Sequence, residues 1–190
     1  MTCLILIRHG ATDWNAEGRY QGQVDIPLNA LGREQSGQIA RALNGMDLAA
    51  IYASDLARAR ETAETLAHAA GLEVRVDPRL REINHGRWEG MLFGEIRARY
   101  PEEVKRRREN PLTFAPPGGE TVQHVKERFL AAVADIVRRH PAGNVAIVSH
   151  GLAIAIVRAH YGDYPAAKIW DLVPGNGEIV EIEVEPIGQA

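Results

Sequence analysis

Leu4-Ile5-Leu6-Ile7 runs without interruption into Arg8-His9-Gly10. An apolar run of that length, ended by glycine, is the pattern of a strand buried on both faces, as in a parallel sheet covered by helices. Buried strands do not ordinarily end in an adjacent guanidinium and imidazole. In open α/β sheets ligands bind outside the carboxyl ends of the strands, so Arg8 and His9 fall where chemistry is done. Val145-Ala146-Ile147-Val148 delivers Ser149-His150-Gly151 in the same manner. Two strands, each ending in His-Gly, point to one site built around two imidazoles.

The rest of the chain supplies a sheet for those strands. A Gly-rich polar loop over 10–28 leads to a helix from about Leu31 to Leu43, with Asn29 as its cap. Ala50–Ala53 reads as a strand ending at Ser54-Asp55. The helix over about 56–70 buries Ala59, Ala63, Leu66 and Ala70 at helical spacing, and Gly71 stops it. A strand at Glu73–Val76, a long helix near 120–139, a strand at 144–149 and a helix of about ten residues from Leu152 follow. Glu178–Val184 alternates Ile179, Ile182 and Val184 with polar positions, as an edge strand does. The expected fold is therefore α/β: a three-layer α/β/α sandwich with a mostly parallel sheet and one antiparallel edge strand. Residues 79–119 interrupt the pattern with four prolines, the run Lys105-Arg106-Arg107-Arg108 and Gly118-Gly119. They read as a partly helical, cap-like insertion in a single domain spanning 1–190. The basic run is first a solvated helix face, with attraction of an anionic substrate as the sharper alternative.

Composition narrows the function by exclusion. A net charge of −3 argues for neither nucleic acid nor an anionic membrane as partner. No stretch approaches the ~18 apolar residues of a membrane span, and the N-terminus lacks a basic region followed by an apolar core. A cytoplasmic enzyme is the expectation. The lone Cys3 lies inside the first strand and reads as a small buried apolar residue. Nineteen of the 22 basic residues are arginine, a bias that composition alone explains, so individual arginines carry the argument.

Two histidines among arginines are compatible with a metal site, an acid/base pair, or a nucleophile in an anion pocket. The strand ends lack carboxylates and an arginine repels a cation, which disfavours metal. Guanidinium forks match a phosphoryl group, and a neutral imidazole is a competent phosphorus nucleophile whose cationic neighbours keep it unprotonated. A further arginine and an acid for the leaving group are present: Arg58 opens the helix after Ser54-Asp55, and Glu82 follows the third strand.

These blocks resemble the histidine phosphatase superfamily, typified by cofactor-dependent phosphoglycerate mutase, over nearly the whole chain. They are Arg8-His9-Gly10 with Thr12 and Asn15, Gln21-Gly22, Leu28-x-x-x-Gly32, and Ser54-x-Leu56-x-Arg58-Ala59-x-x-Thr62-Ala63. Leu80-x-Glu82-x-x-x-Gly86, Gly118-Gly119-Glu120-Thr121 and Ser149-His150-Gly151 complete the set. The resemblance implies a metal-independent phosphomonoesterase acting on a small phosphate ester, with no cofactor. His9 would carry the phosphoryl group, and Arg8, Arg58 and His150 would bind its oxygens. Asn15, Gln21, Gly22 and the Gly151 N–H would complete the pocket, and Glu82 would serve as proton donor. His85 stands where mutases carry tyrosine, which leaves it between pocket wall and structural role. Trp88 and Phe114 are open between closing the pocket and core packing. Arg60 reads as an ion-paired surface residue, and His68, His124, His140 and His160 as surface histidines.

Departures from the mutase pattern favour hydrolysis. Glu82-Ile83-Asn84-His85-Gly86 and His150-Gly151-Leu152 replace the mutases' Glu-Arg-His-Tyr-Gly and His-Gly-Asn, and the chain most resembles the broad-specificity and α-ribazole-phosphate phosphatase branch. Mutase action is the alternative, and a non-catalytic phosphate-binding protein on the same fold is a second. A homodimer paired through the edge strand is a further expectation.

Overall fold

In the computed structural model, which describes residues 1–185, the first apolar run forms β1 (Thr2–Arg8), and its side chains divide between two cores. Leu4 and Leu6 enter one core, Ile5 and Ile7 the other, and all four are fully buried. β4 (Gly143–Ser149) does the same, with Val145 and Ile147 on one side and Ala146 and Val148 on the other. Each such large apolar side chain contributes about 1.5–3 kcal/mol on burial. This two-sided burial removes the usual polar alternation from both strands.

The strand order is β3-β2-β4-β1-β5, with β2 (Leu48–Ala53) and β3 (Val74–Val76) completing the parallel part. β5 (Ile179–Val184) runs antiparallel to β1 at the edge, as expected. The β2–β4 register slips between Leu48 and Ala50, so Leu48 and Ile51 share one face while Ala49 is exposed. That slip confines the recognisable strand pattern to 50–53.

Helices cover both faces. α1 (Asp13–Glu17) lies within the loop after β1, and α2 (Ala30–Ala42) and α3 (Ala57–Ala70) pack on the Ile5/Ile7 side. α4 (Phe93–Arg99) and α5 (Pro101–Glu109) fall inside the 79–119 segment; α6 (Val122–Arg139) and α7 (Gly151–Tyr161) cover the Leu4/Leu6 side. Asn29 caps α2 by accepting from Gly32 N, and Gly71 ends α3 in the left-handed region.

Several sequence expectations are corrected, and the open choice for Trp88 and Phe114 falls to core packing. α1 lies where the sequence suggests only loop: it is five residues long, too short for periodicity to register, and a reciprocal Thr12–Asn15 capping box holds it. Ala70 is exposed, and Ala67, one turn after Ala63 on the same face, takes the core position. Trp88 and Phe114 belong to a separate small core with Ile96 and Val104; Trp88 is fully buried and its indole N–H donates to Glu103 (3.0 Å). Arg107 does not share the solvated face of Lys105, Arg106 and Arg108. Its guanidinium donates to Tyr20 Oη (3.1 Å) and lies over the rings of Tyr20, Trp88 and Trp170. His140 is half-buried, with its ring against the Tyr52 hydroxyl (3.1 Å), because it ends α6 over the sheet. Arg60 is exposed and forms no ion pair among the described residues.

Candidate active site

β1 and β4 are parallel neighbours in a register that pairs Arg8 with Ser149, so the next residues, His9 and His150, leave the sheet side by side. Their ring centroids are 5.1 Å apart. Both rings are buried, at 3% and 0% exposure. The chain can turn sharply after His9 because Gly10 packs against another glycine. A Cβ on Gly10 would lie 2.3 Å from Gly32 O, and one on Gly32 would lie 2.1 Å from Ala11 O. That mutual approach explains why Gly32 forms part of the motif although it is distant in sequence.

His9 is held at both ring nitrogens. Its Nδ1 lies 2.6 Å from Gly10 O, an atom that only accepts, so Nδ1 carries the proton and Nε2 the lone pair. Arg58 Nε donates to that lone pair at 3.2 Å. Arg58 is the second residue of α3, buried at 1% exposure, and the 21–24 loop grips its other nitrogens. NH2 donates to Gly22 O (2.7 Å) and NH1 to Val24 O (2.8 Å). Gly22 therefore serves the site through its carbonyl, as a clamp on Arg58.

Arg8 donates from NH1 to Pro174 O at 2.6 Å and lies against Gly151, where a Cβ would come within 3.3 Å of its guanidinium carbon. The Pro174–Gly177 turn contributes more. Asn176 Nδ2 donates to His9 O (3.1 Å) and to Asn15 Oδ1 (3.2 Å), and Gly177 N donates to Arg8 O (3.1 Å). Sequence reasoning missed Asn176. The Pro-Gly-Asn-Gly turn before an antiparallel edge strand was the available signal, since β5 beside β1 must bring that turn to the carboxyl end of β1.

Asn15 Oδ1 also accepts from Thr12 N (3.1 Å), and Gln21 Oε1 accepts from the Thr12 hydroxyl (2.9 Å). Both carboxamide oxygens are thus tied to Thr12, which orients the two side chains together. Glu82 crosses from the β3 side toward α7: its Oε2 accepts from Leu152 N (3.1 Å) and its Oε1 from Ile83 N (2.9 Å). Gly151 is the first residue of α7. His85 belongs to a neighbouring group, stacked edge-on against Tyr20 at 4.8 Å and lining a small void with Arg107, Phe114 and Trp170. His68, His124 and His160 are exposed, as expected.

Burial holds the imidazoles of His9 and His150 well below their ordinary pKa, and the Arg58 charge depresses them further. Burial likewise lowers Arg58 to about 10, still charged at neutral pH, with Glu82 opposing the shift. Burial and Arg107 push His85 down to about 3. Arg8 Nε and both ring nitrogens of His150 are buried without a hydrogen-bond partner among the described residues. Unsatisfied buried polar atoms cost roughly 1–3 kcal/mol each. Grouped here beside two guanidiniums, they match the demands of a tetrahedral oxyanion.

The fold and site together define an α/β sandwich with a paired-histidine, arginine-lined anion pocket at the carboxyl edge of its sheet. The chain belongs to the histidine phosphatase superfamily, branch 1, whose profile matches residues 4–190. It is 35% identical to phosphoserine phosphatase 1 of Hydrogenobacter thermophilus over 185 residues, 97% of this chain and 88% of the relative. It is 38% identical to the probable phosphoglycerate mutase GpmB of Escherichia fergusonii over 155 residues, covering 81% of this chain and 72% of that protein. The solved structure of mycobacterial glucosyl-3-phosphoglycerate phosphatase in complex with VO3 superposes with a TM-score of 0.87 at 37% identity, covering 95% of this chain and 90% of that one.

Proposed function

We propose that this chain is a metal-independent phosphomonoesterase for a small phosphorylated metabolite, working through a phosphohistidine on His9. The observation that carries the reading is the tautomer of His9. Gly10 O accepts a hydrogen bond from Nδ1–H, so Nε2 presents its lone pair inside a cationic pocket. Arg8 and Arg58 supply the positive charge that a metal provides in other phosphoryl-transfer sites, and they repel a competing cation.

A phosphoryl oxygen entering the pocket competes for the Arg58 Nε–H that rests on His9 Nε2. Transfer of that hydrogen bond to the oxygen frees the lone pair for attack. His9 Nε2 then bonds to phosphorus as the ester P–O bond breaks, and Glu82 delivers a proton to the departing alkoxide. Water next attacks phospho-His9, Glu82 takes a proton from it, and inorganic phosphate leaves with His9 restored. Arg8, Arg58 and His150 hold the three non-bridging oxygens, aided by the NH2 groups of Asn15 and Gln21 and the N–H of Gly151. The 79–119 segment walls the leaving-group side, which Glu82 enters. Hydrolysis is favoured over mutase transfer because Leu152 is buried in the core and offers no polar group to a returning carboxylate.

The test is phosphate release from a panel of phosphomonoesters that includes phosphoserine and 3-phosphoglycerate, with a chelator present and His9→Ala as control. The expected result is release that survives chelation and vanishes in the variant. An acid-labile, alkali-stable phosphoprotein should be trapped on rapid quenching. Turnover by His9→Ala at the wild-type rate would overturn the assignment.

A further inference from the structure

Glu82 stands on backbone that belongs to neither strand nor helix. Between the 3₁₀ turn at Pro78–Leu80 and the turn at Gly86–Trp88, the chain has no sheet or helix to satisfy its carbonyls. One side chain from across the core does so. Arg128, near the middle of α6, donates from NH1 to Arg79 O (2.8 Å) and Arg81 O (2.7 Å), and from NH2 to Glu82 O (2.8 Å). Glu120 holds the same guanidinium, its Oε1 accepting from Nε (3.0 Å) and its Oε2 from NH2 (3.1 Å). The Arg128 side chain is 19% exposed, and every nitrogen of its fork is engaged.

Glu120 then reaches the far side of the same residue. Its Oε2 also accepts from Asn84 N (2.9 Å) and from Gln23 Nε2 (3.2 Å), and that amide donates to Glu82 O as well (3.0 Å). Ser149 Oγ fixes Leu80 O at 2.8 Å, one residue before His150. The backbone before, at and after Glu82 is thus tied to a single Arg128–Glu120 unit, while the Glu82 carboxylate is steered by Ile83 N and Leu152 N. A slide of this loop by an ångström would carry the carboxylate off α7 and away from the phosphoryl pocket.

We propose that Arg128, held by Glu120, is the positioning residue for Glu82, controlling proton delivery to the leaving group without touching substrate. The proposal rests on the reading of Glu82 as the acid. Proton delivery matters for an alkoxide and little for a nitrophenolate, which departs unassisted, so the choice of leaving group separates positioning from general loosening of the fold.

The experiment compares kcat/KM for the best alkyl phosphate of the panel and for p-nitrophenyl phosphate in wild type, Arg128→Lys, Glu120→Gln and Glu82→Gln. Arg128→Lys keeps the charge and loses the fork. It should lower the alkyl ester by on the order of 10²-fold, mainly in kcat, the scale of an ångström misplacement, and the nitrophenyl ester by under about fivefold. Glu120→Gln should show the same selectivity more weakly. Glu82→Gln is the reference, with a loss of roughly 10²–10⁴ in kcat/KM on the alkyl ester and a far smaller one on the nitrophenyl ester, because kcat/KM does not register the later hydrolysis of phospho-His9. The nitrophenyl kcat/KM also reports that each variant is folded. Parallel loss on both esters in Arg128→Lys and Glu120→Gln, with Glu82→Gln still selective, overturns the proposal. A Glu82→Gln enzyme with no selectivity removes the acid assignment itself, and the proposal with it.

Discussion

Acidification should destabilise this protein, in part through the two buried imidazoles of the site. His9 and His150 are 3% and 0% exposed, and burial beside Arg58 keeps both neutral well below the ordinary histidine value. In the unfolded chain each titrates near ~6.5. Below that value the unfolded state takes up a proton that the folded state refuses, so stability is fully present above it and is lost as pH falls toward the depressed folded value. At pH ~5.5 the loss is on the order of 1 kcal/mol per histidine. The assay is urea unfolding followed by tryptophan fluorescence between pH 8 and pH 5.5, for wild type and His150→Asn. Wild type should lose on the order of 1 kcal/mol more than the variant across that range, or roughly 2–4 °C in Tm. Other groups that titrate in the window cancel in the difference. Identical pH slopes for the two proteins would refute the claim that His150 is held neutral by the fold.

Arg58→Lys keeps the charge but abandons the carbonyls of Gly22 and Val24 and the contact with His9. Steady-state kinetics on the best ester should show kcat/KM reduced by on the order of 10²–10³, and an unchanged value would remove Arg58 from the mechanism. Gly32→Ala places a methyl 2.1 Å from Ala11 O, which only backbone movement can relieve. Thermal unfolding should report roughly 1–3 kcal/mol of destabilisation. Asn176→Ala deletes the bonds to His9 O and Asn15 Oδ1. Competitive inhibition by inorganic phosphate should weaken about fivefold, the equivalent of one hydrogen bond, and a variant that matches wild type would make this turn a spectator.

Much of the architecture was legible because it rests on local chemistry. β1 and β4 bury both faces, so their apolar runs, and the His-Gly pair ending each, stand out from the linear order. Asn29, Gly71 and the helical spacing of Ala59, Ala63 and Leu66 mark helix limits and faces through nearest neighbours alone. Arg8, His9, Arg58 and His150 stand out for the same reason, each adjoining a strand or helix end whose direction the sequence sets, whereas Glu82 lies on irregular backbone and is marked only by the family pattern. Short or irregular pieces were not. α1 is a single capped turn, the β2 slip hides its first residues, and Arg107 leaves its basic run because three aromatic rings from distant segments meet it.

From the order of residues alone came the α/β sandwich, the family, and a pair of histidines among arginines at one edge of the sheet. Register and long-range contact decided the rest. The β1–β4 pairing sets His9 and His150 side by side. The antiparallel placement of β5 brings Asn176 to His9, and Arg128 reaches from α6 to hold the loop of Glu82. Those bonds join residues 46 to 167 positions apart. No local pattern encodes them, because a hydrogen bond between distant segments depends on where packing has already delivered both ends.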